Sequence, residues 1–281
     1  MGSRITLSTW LQFPGIAISV AALLAALFPV RAEEHNVFGE KTASEAALMG
    51  IFYDLKQTQD GKSSNVDVNE YWRILDEFFS KGWDESVLNR YYRITRPLYT
   101  TQVYIPNINA DSAPKAFGAG RNIKPSRWVI HYKGQVSPPE NGTYRFCGAA
   151  DDVIAAAVDG RTVLLKPLHA PVDRTFPKTG WRRDKDGPEE GIRASTSRLY
   201  NGNWIEMKAD QVYDLDVLIG ERPGGQFYAF LMIEKKGGSY ETDKDGPVLP
   251  IFQIAPYDTP VPTQDRAPRF AKDAPIWKSY Q

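Results

Sequence analysis

Two adjacent carboxylates, Asp151 and Asp152, are the residues of this sequence whose types and spacing point most directly to chemistry. Neighbouring carboxylates repel each other, so such a pair is most easily kept where a cation or several hydrogen-bond donors offset the charge. Calcium prefers hard oxygen ligands of this kind. The pair therefore predicts either a calcium site or a structural turn in which one carboxylate accepts hydrogen bonds from backbone amides.

A second acidic pattern is the pentad Asp-Lys-Asp-Gly-Pro, which occurs at Asp184–Pro188 and again at Asp243–Pro247. With Glu241 ahead of it, the second copy imitates the front of a calcium-binding loop. Such a loop places a bidentate Glu at its last ligand position, where this sequence has Phe252. Two polar turns are therefore the better interpretation.

Residues typical of an enzyme are few. His35, His131 and His169 are scattered, and the sequence contains no metal-binding histidine pair, nucleophile elbow or phosphate loop. Glu189 and Glu190 are adjacent, whereas a glycosidase needs two carboxylates placed across the scissile bond. We therefore expect a protein that is not an enzyme, and a polysaccharide hydrolase is kept as a third alternative.

Exposed aromatic side chains are what a sugar-binding protein would need, because the apolar faces of pyranose rings stack on Trp and Tyr. Trp181 and Tyr200 lie in the irregular segment 166–202, and Trp204 follows it closely. This segment is too long for an ordinary connection, which indicates a functional or mobile loop. Either the rings contact a ligand or they fix the loop to the body of the protein.

The elements that must position the carboxylates are strands. Trp128, Ile130 and Tyr132 recur at a period of two and share one face of a predicted strand. A turn at 138–142 leads to a second half-buried strand, and the apolar run 153–158 is followed by a turn at Asp159-Gly160 and a further strand. The stretch thus predicts four strands in two hairpins. Farther along, Tyr213–Ile219 and Phe227–Ile233 predict another hairpin.

One helix interrupts the strands. Asp67 and Glu70 form a pair of the capping-box type at its start. Four residues at helical spacing then form one apolar face: Tyr71, Leu75, Phe78 and Phe79. The pattern predicts a helical segment at 67–92, inserted at the edge of the sheet structure.

The order of these features carries a family resemblance. The aromatic strand, the Pro-rich turn, Gly142–Phe146, the Asp pair and the two strands around Asp159-Gly160 resemble one known domain. It is the lectin-like β-sandwich domain first described in the protective antigen of anthrax toxin, which also occurs in adhesins, some glycosidases and bacterial surface proteins. The resemblance implies a mainly β protein, an antiparallel β-sandwich from about Gly50 to Ala255, and contact with carbohydrate.

The same resemblance implies a cofactor. In sugar-binding adhesins of this family the Asp pair is joined by a cis peptide and holds a calcium ion that also binds sugar hydroxyls. Those adhesins add an asparagine from a later loop; the corresponding loop here has none, and Glu221 is its substitute. The metal ligands expected by analogy are Asp151, Asp152 and Glu221. The ligand-binding set expected is Asp151, Asp152, Trp181, Tyr200 and Trp204.

The first 32 residues predict export. No charge occurs between Arg4 and Arg31, the run Ile16–Phe28 is apolar, and the residues up to Ala32 fit the cleavage rule of signal peptides. We expect a signal peptide at 1–32, with an uncleaved membrane anchor as the alternative, and a loosely held polar lead-in at 33–49. No later segment is long and apolar enough to span a bilayer.

Composition and the C-terminal region complete the prediction. The 34 basic and 34 acidic residues give no net charge, whereas a nucleic-acid partner normally requires a basic excess. Cys147 is the only cysteine, which excludes an internal disulfide and indicates a small buried side chain. The Pro-rich residues 256–281 predict a tail extended over the surface.

Together these features predict an exported, non-catalytic carbohydrate-binding or adhesion module, periplasmic, at the cell surface or secreted, with a polysaccharide or glycan as its partner. The alternative from another class is a structural or assembly subunit of the cell envelope. In that alternative the 166–202 loop and the Pro-rich tail bind other envelope proteins.

Overall fold

The structure is a computed structural model that describes residues 2, 36–167, 193–194, 197–244, 246–256 and 267–280, with backbone alone at 193–194 and 197–198. The predicted signal peptide lies outside these residues except for Gly2, as do 168–192 of the predicted loop and 257–266 of the predicted tail. Among the described residues, no helix has the length and apolar character needed to cross a membrane.

Two antiparallel sheets contain most of the strands, which are numbered here in chain order. Sheet I comprises β1 Leu48–Thr58, β2 Tyr91–Arg93, β3 Leu98–Thr100, β5 Trp128–Ser137, β7 Val153–Val158, β8 Arg161–Pro167, β13 Tyr213–Glu221 and β17 Lys278–Tyr280. Sheet II comprises β4 Tyr104–Asn109, β6 Gly142–Asp151, β11 Tyr200–Asn201, β12 Ile205–Met207 and β14 Gln226–Lys235. The remaining elements are the strand pairs β9 Arg193–Ala194 with β10 Ser197–Arg198 and β15 Thr242–Asp243 with β16 Gly246–Pro247, the helices α1 Val68–Ser80 and α2 Ser112–Ala116, and a 3-10 turn at Leu88–Arg90.

The inner faces of the two sheets form one core. Trp128, Ile130 and Tyr132 of β5 all belong to it, as their spacing predicted, and the Trp128 ring lies 4.9 Å from that of Phe227 on β14. Alternate residues of a strand point to opposite faces, so the register of β5 directs Trp128, Ile130 and Tyr132 toward sheet II. The prediction of a mainly β, antiparallel sandwich is confirmed.

The outer faces are covered as well. Asp67 begins α1 by accepting hydrogen bonds from the backbone N–H groups of Asn69 and Glu70, and the predicted apolar face of the helix packs on the outer side of sheet I. The helix therefore lies on the face of this sheet, and the predicted place at the edge is wrong. The reason is that β1, β5, β7, β8 and β13 all carry apolar side chains on this side, which must be shielded from water. Cys147 lies in a further core on the outer side of sheet II, buried as predicted.

Two of the three predicted hairpins are wrong. β7 and β8 pair around Asp159-Gly160 as expected, but β5 passes to β6, and β13 to β14, by crossing from sheet I to sheet II. These strands are buried on both faces, so their sequence pattern does not say which neighbour they pair with. The turn residues indicated a reversal of direction correctly, but not a change of sheet.

The limits of the domain are wider than predicted. Phe38 of the lead-in is 1% exposed and its carbonyl accepts a hydrogen bond from the Tyr132 hydroxyl, so this part of 33–49 is not loosely held. At the other end Trp277 is fully buried, and β17 pairs with β5. The predicted end at Ala255 missed this because a single apolar residue among prolines gives no periodic signal.

Replacement of Trp277 by Ala should reduce the free energy of unfolding by about 3–5 kcal/mol, the usual result of removing a large buried aromatic side chain. Its ring packs against those of Tyr144, Phe146 and Phe252, at 5.1, 6.2 and 5.3 Å between centroids. Urea denaturation measures the change. Ile276→Ala is the matched control, because Ile276 is 42% exposed and its loss should be nearly neutral. Equal stability of the two variants would show that the C-terminal segment lies outside the core.

Candidate functional site

The candidate site lies where the chain changes sheets twice at the same end of the sandwich. Asp151 ends β6 in sheet II, and Asp152 leads directly into β7 in sheet I. Glu221 ends β13 in sheet I, immediately before the turn into β14. Because β7 and β13 are neighbours, with Val153 opposite Gly220, the two crossings bring the three carboxylates together.

The three side chains are close and unequally exposed. One carboxylate oxygen from each of Asp151, Asp152 and Glu221 lies within 4.8 Å of the other two. Asp152 and Glu221 are each 1% exposed, whereas Asp151 is half-buried. The peptide bond between Asp151 and Asp152 is cis. The cluster is thus closed toward the core and open to solvent on the side of Asp151.

Backbone hydrogen bonds hold two of the carboxylates. The N–H of Asp152 donates to the carbonyl of Gly220 at 2.9 Å, and its Oδ2 accepts from the N–H of Arg222 at 2.8 Å. Oε1 of Glu221 accepts from the N–H of Gly224 at 2.7 Å. Oε2 of Glu221 is buried and has no hydrogen-bond partner among the described residues. This oxygen is therefore available to a ligand that can enter the cluster.

The hydrogen bond to Glu221 depends on a glycine at position 224. Its φ is +95°, a value that favours glycine, and a Cβ there would approach the carbonyl oxygen of Pro125 to 3.0 Å. The turn between β13 and β14 can therefore fold back toward Glu221 and present its N–H group.

Burial dominates the electrostatics of the cluster. Burial, as the largest cause, and the negative charges of Asp152 and Asp151 together raise the pKa of Glu221 to about 9, against the opposing effects of the Gly224 N–H and Arg222. Burial likewise raises the pKa of the Tyr71 hydroxyl on α1, with Asp152 and Glu221 as the next causes. Without a cation, Glu221 holds a proton at neutral pH.

Lys166 is a charged neighbour that the sequence reasoning missed. It is a residue of β8, lies opposite Ile154 of β7 and is 2% exposed. Its Nζ donates a hydrogen bond to the carbonyl of Ala150 at 2.9 Å. Burial lowers the pKa of its ammonium to about 8, while Asp151 and Asp152 act in the opposite direction. The signal in the sequence is a lysine directly after the apolar run Val163–Leu165.

The carboxylate oxygens of the cluster are suitable ligands for a divalent cation, and calcium fits them best. Three carboxylates offer hard oxygens, two of them pre-oriented by backbone N–H groups, and the partnerless Glu221 oxygen is a group that a cation would satisfy. The expected replacement of an asparagine by Glu221 is thus geometrically feasible. The metal itself stays a prediction.

Of the predicted aromatic residues, Trp204 and Tyr200 are not part of this cluster. The Arg145 guanidinium stacks over the Trp204 ring at 4.3 Å, and Arg145 lies about 20 Å from Asp151 at the usual rise per residue of a strand. Tyr200 pairs with Gly148 and packs against the inner core, as expected of a ring that fixes a loop to the body. Trp181 lies outside the described residues.

The repeated acidic pentad gives no described metal site. Asp243 and Gly246 pair as the short strands β15 and β16, and Arg269 lies 3.6 Å from Asp243. Asp245 and the first copy at 184–188 lie outside the described residues. In its described residues, 243–244 and 246–247, the second copy is a polar turn.

Neither a protein-family model nor a curated protein matches the chain. Among solved structures, the chain is similar to a PA14 sugar-binding domain from an RTX adhesin, at 12% identity over 70% of this chain and 94% of that chain, with a TM-score of 0.41. It is also similar to the PA14 domain of the MpAFP antifreeze protein, at 13% identity over 70% of this chain and 87% of that chain, with a TM-score of 0.42. A third similar structure is the Epithelial Adhesin 6 A domain from Candida glabrata, in complex with Galb1-3GlcNAc. It is 13% identical over 77% of this chain and 95% of that chain, with a TM-score of 0.38. The neighbours are lectin-like β-sandwich domains, as the resemblance predicted. At these values the likeness identifies no ligand.

Without a divalent cation, stability should fall as the pH rises from about 5 to 8. The folded pKa of Glu221, about 9, exceeds its ordinary value of 4.5, so in this window the folded protein keeps a proton that the unfolded chain has lost. The loss is at most about 1.4 kcal/mol per pH unit. Lys166 acts in the opposite sense only between about 8 and 10.5.

Urea denaturation at a series of pH values in chelator measures this effect. Glu221→Gln has no titrating group at this position, so its stability should fall less with pH than that of the wild type. Parallel profiles of the two proteins would contradict the burial of an ionisable Glu221.

Proposed function

We propose that the protein is a non-catalytic module that binds a saccharide through a divalent cation, calcium in first place, held by Asp151, Asp152 and Glu221. One observation carries the proposal: three carboxylate oxygens lie within 4.8 Å of one another, and a buried Glu221 oxygen beside them has no partner in the described part of the chain. Burying like charges is unfavourable unless a cation or donors offset them.

The residues of the cluster have different tasks in this proposal. Asp152 and Glu221 form the inner wall, and the N–H groups of Arg222 and Gly224 fix their orientation. Asp151 is half-buried and forms the side that faces the solvent, where a ligand arrives. A bound calcium ion supplies coordination positions that paired sugar hydroxyls can occupy.

A saccharide is chosen as the ligand class because Trp128–Leu165 resembles the lectin-like family, whose adhesins use the same Asp pair. We also propose that the protein is exported, to the periplasm, the cell surface or the medium, because residues 1–32 have the pattern of a signal peptide. Trp181 is kept as a ligand contact to be tested. Trp204 and Tyr200 are not, because one stacks on Arg145 and the other packs on the core.

The geometry does not favour a hydrolase at this place. Glycosidases separate their two carboxyl groups by about 5–5.5 Å or about 6.5–9.5 Å so that a sugar, and in one class a water, fits between them. Here the oxygens lie within 4.8 Å, and two of the three side chains are 1% exposed. The burial of Asp152 and Glu221 leaves a pyranose ring no access to two of the three carboxylates.

The assembly alternative is not supported by the described part of its predicted tail, residues 267–280. It assigned partner binding to the tail after Ala255, yet Trp277 is fully buried and β17 extends sheet I. Removing the tail would therefore damage the fold and would not report on a partner.

Calcium should raise the melting temperature, because a ligand bound only by the folded state stabilises it, by about 2.7 kcal/mol at a hundredfold excess over Kd. The measurement is a thermal melt with calcium and with chelator. Asp152→Asn should abolish the difference. Asp60→Asn, in an exposed turn, is the matched control and should keep it. Identical melts of the wild type in both conditions would leave the Asp pair as a structural turn.

A glycan array with and without calcium tests the ligand class. We expect glycan binding by the wild type that is lost in chelator and in Asp152→Asn, and weakened in Trp181→Ala. Trp204→Ala should bind like the wild type, because its ring lies far from the carboxylates. Binding that survives chelator and Asp152→Asn would place the glycan site elsewhere.

A further inference from the structure

The buried ammonium of Lys166 is not among the proposed cation ligands. Its side chain extends from β8 in sheet I, and its Nζ donates to the carbonyl of Ala150 on β6 in sheet II. Ala150 directly precedes Asp151, so the ammonium lies behind the carboxylate cluster, on the side of the core. A lysine that is 2% exposed is rare, because burial of a charge is unfavourable without nearby opposite charge.

The charge count of the cluster explains its presence. Ligation requires ionised carboxylates, and the three of them then carry three negative charges. The buried ammonium of Lys166 leaves two negative charges, and Arg222, whose charge also acts on Glu221 but more weakly than those of Asp152 and Asp151, offsets part of the remainder. A divalent cation is therefore enough to balance the cluster, whereas a trivalent cation would leave more uncompensated positive charge in a buried place.

We propose that Lys166 is a specificity-determining residue of the cation site: its ammonium sets the net charge of the cluster so that a divalent cation is favoured over a trivalent one. The inference rests on the proposed cation site. It assigns no ligand atom to Lys166, which acts only through its charge and its hydrogen bond to the Ala150 carbonyl.

The proposal has a quantitative consequence. The repulsion between the ammonium and a bound cation is proportional to the charge of the cation. Removal of the ammonium should therefore raise the affinity for calcium by about tenfold or more. For terbium, a trivalent ion with similar oxygen preference, the logarithm of the gain should be about 1.5 times larger. A tenfold gain for calcium thus corresponds to about thirtyfold for terbium.

The experiment compares the wild type with Lys166→Met and Lys166→Gln at pH 7. Calcium affinity is measured by calorimetry, and terbium affinity by luminescence sensitised through nearby aromatic residues. Lys166→Gln keeps a donor for the Ala150 carbonyl, so it can fold if Lys166→Met does not. Lys133→Met is the matched control, because Lys133 lies on the same sheet and is paired with Glu85 away from the cluster. It should change neither affinity by more than about twofold.

The outcomes separate this inference from the proposed function. A tighter calcium complex and a still larger gain for terbium in both Lys166 variants support it. Unchanged affinities, or equal gains for the two ions, in folded variants overturn it and leave the cation site in place. Calcium binding by the variants but not by the wild type would support the role of Lys166 and contradict the proposed function. No calcium binding by any of the proteins would overturn both.

Discussion

The constraint on which the rest of the site depends is the burial of like charges at a crossing between two sheets. Asp152 and Glu221 are withdrawn from water, where an ionised carboxylate is costly unless donors or a cation offset its charge. The N–H groups of Arg222 and Gly224, a proton on Glu221 and the ammonium of Lys166 each offset part of it. Glu221 Oε2 keeps no hydrogen-bond partner among the described residues, which is the reason for the proposal that a cation completes the cluster.

The sandwich makes this arrangement rigid enough to be useful. Both faces of sheet I are covered, by the inner core on one side and by α1 on the other, and Tyr71 of this helix is fully buried near Asp152 and Glu221. A Cβ at Gly220 would lie 2.4 Å from the Tyr71 hydroxyl, so the absence of a side chain there allows the helix to approach the end of β13. Ligands carried on strand ends that are packed on both sides lose little conformational freedom when they bind, which favours affinity.

The chemistry of the cluster also bears on the choice between binding and catalysis. A catalytic pair of carboxylates must face a reacting bond, and two members of this set face the interior. In the proposed site, a half-buried Asp151 above the buried Asp152 and Glu221 would let the protein coordinate one side of a cation and leave the other side to solvent or to a ligand. The ring of Trp204, in contrast, is covered by the Arg145 guanidinium and is not free to contact a ligand at the carboxylates.

The sequence alone determined the class of fold, the inward face of Trp128, Ile130 and Tyr132, the start of α1 at Asp67 and the choice of Asp151 and Asp152 as candidate ligands. These are local properties, because strand alternation, helix capping and the chemistry of adjacent carboxylates depend on residues close in the chain. Only the tertiary structure decided that β5 and β13 pass to the other sheet, that Trp277 completes the core and that Lys166 lies behind the carboxylates. Strands buried on both faces do not encode their neighbours in their periodicity, and the meeting of Asp151 with Glu221 and Lys166 depends on the order of the strands in space.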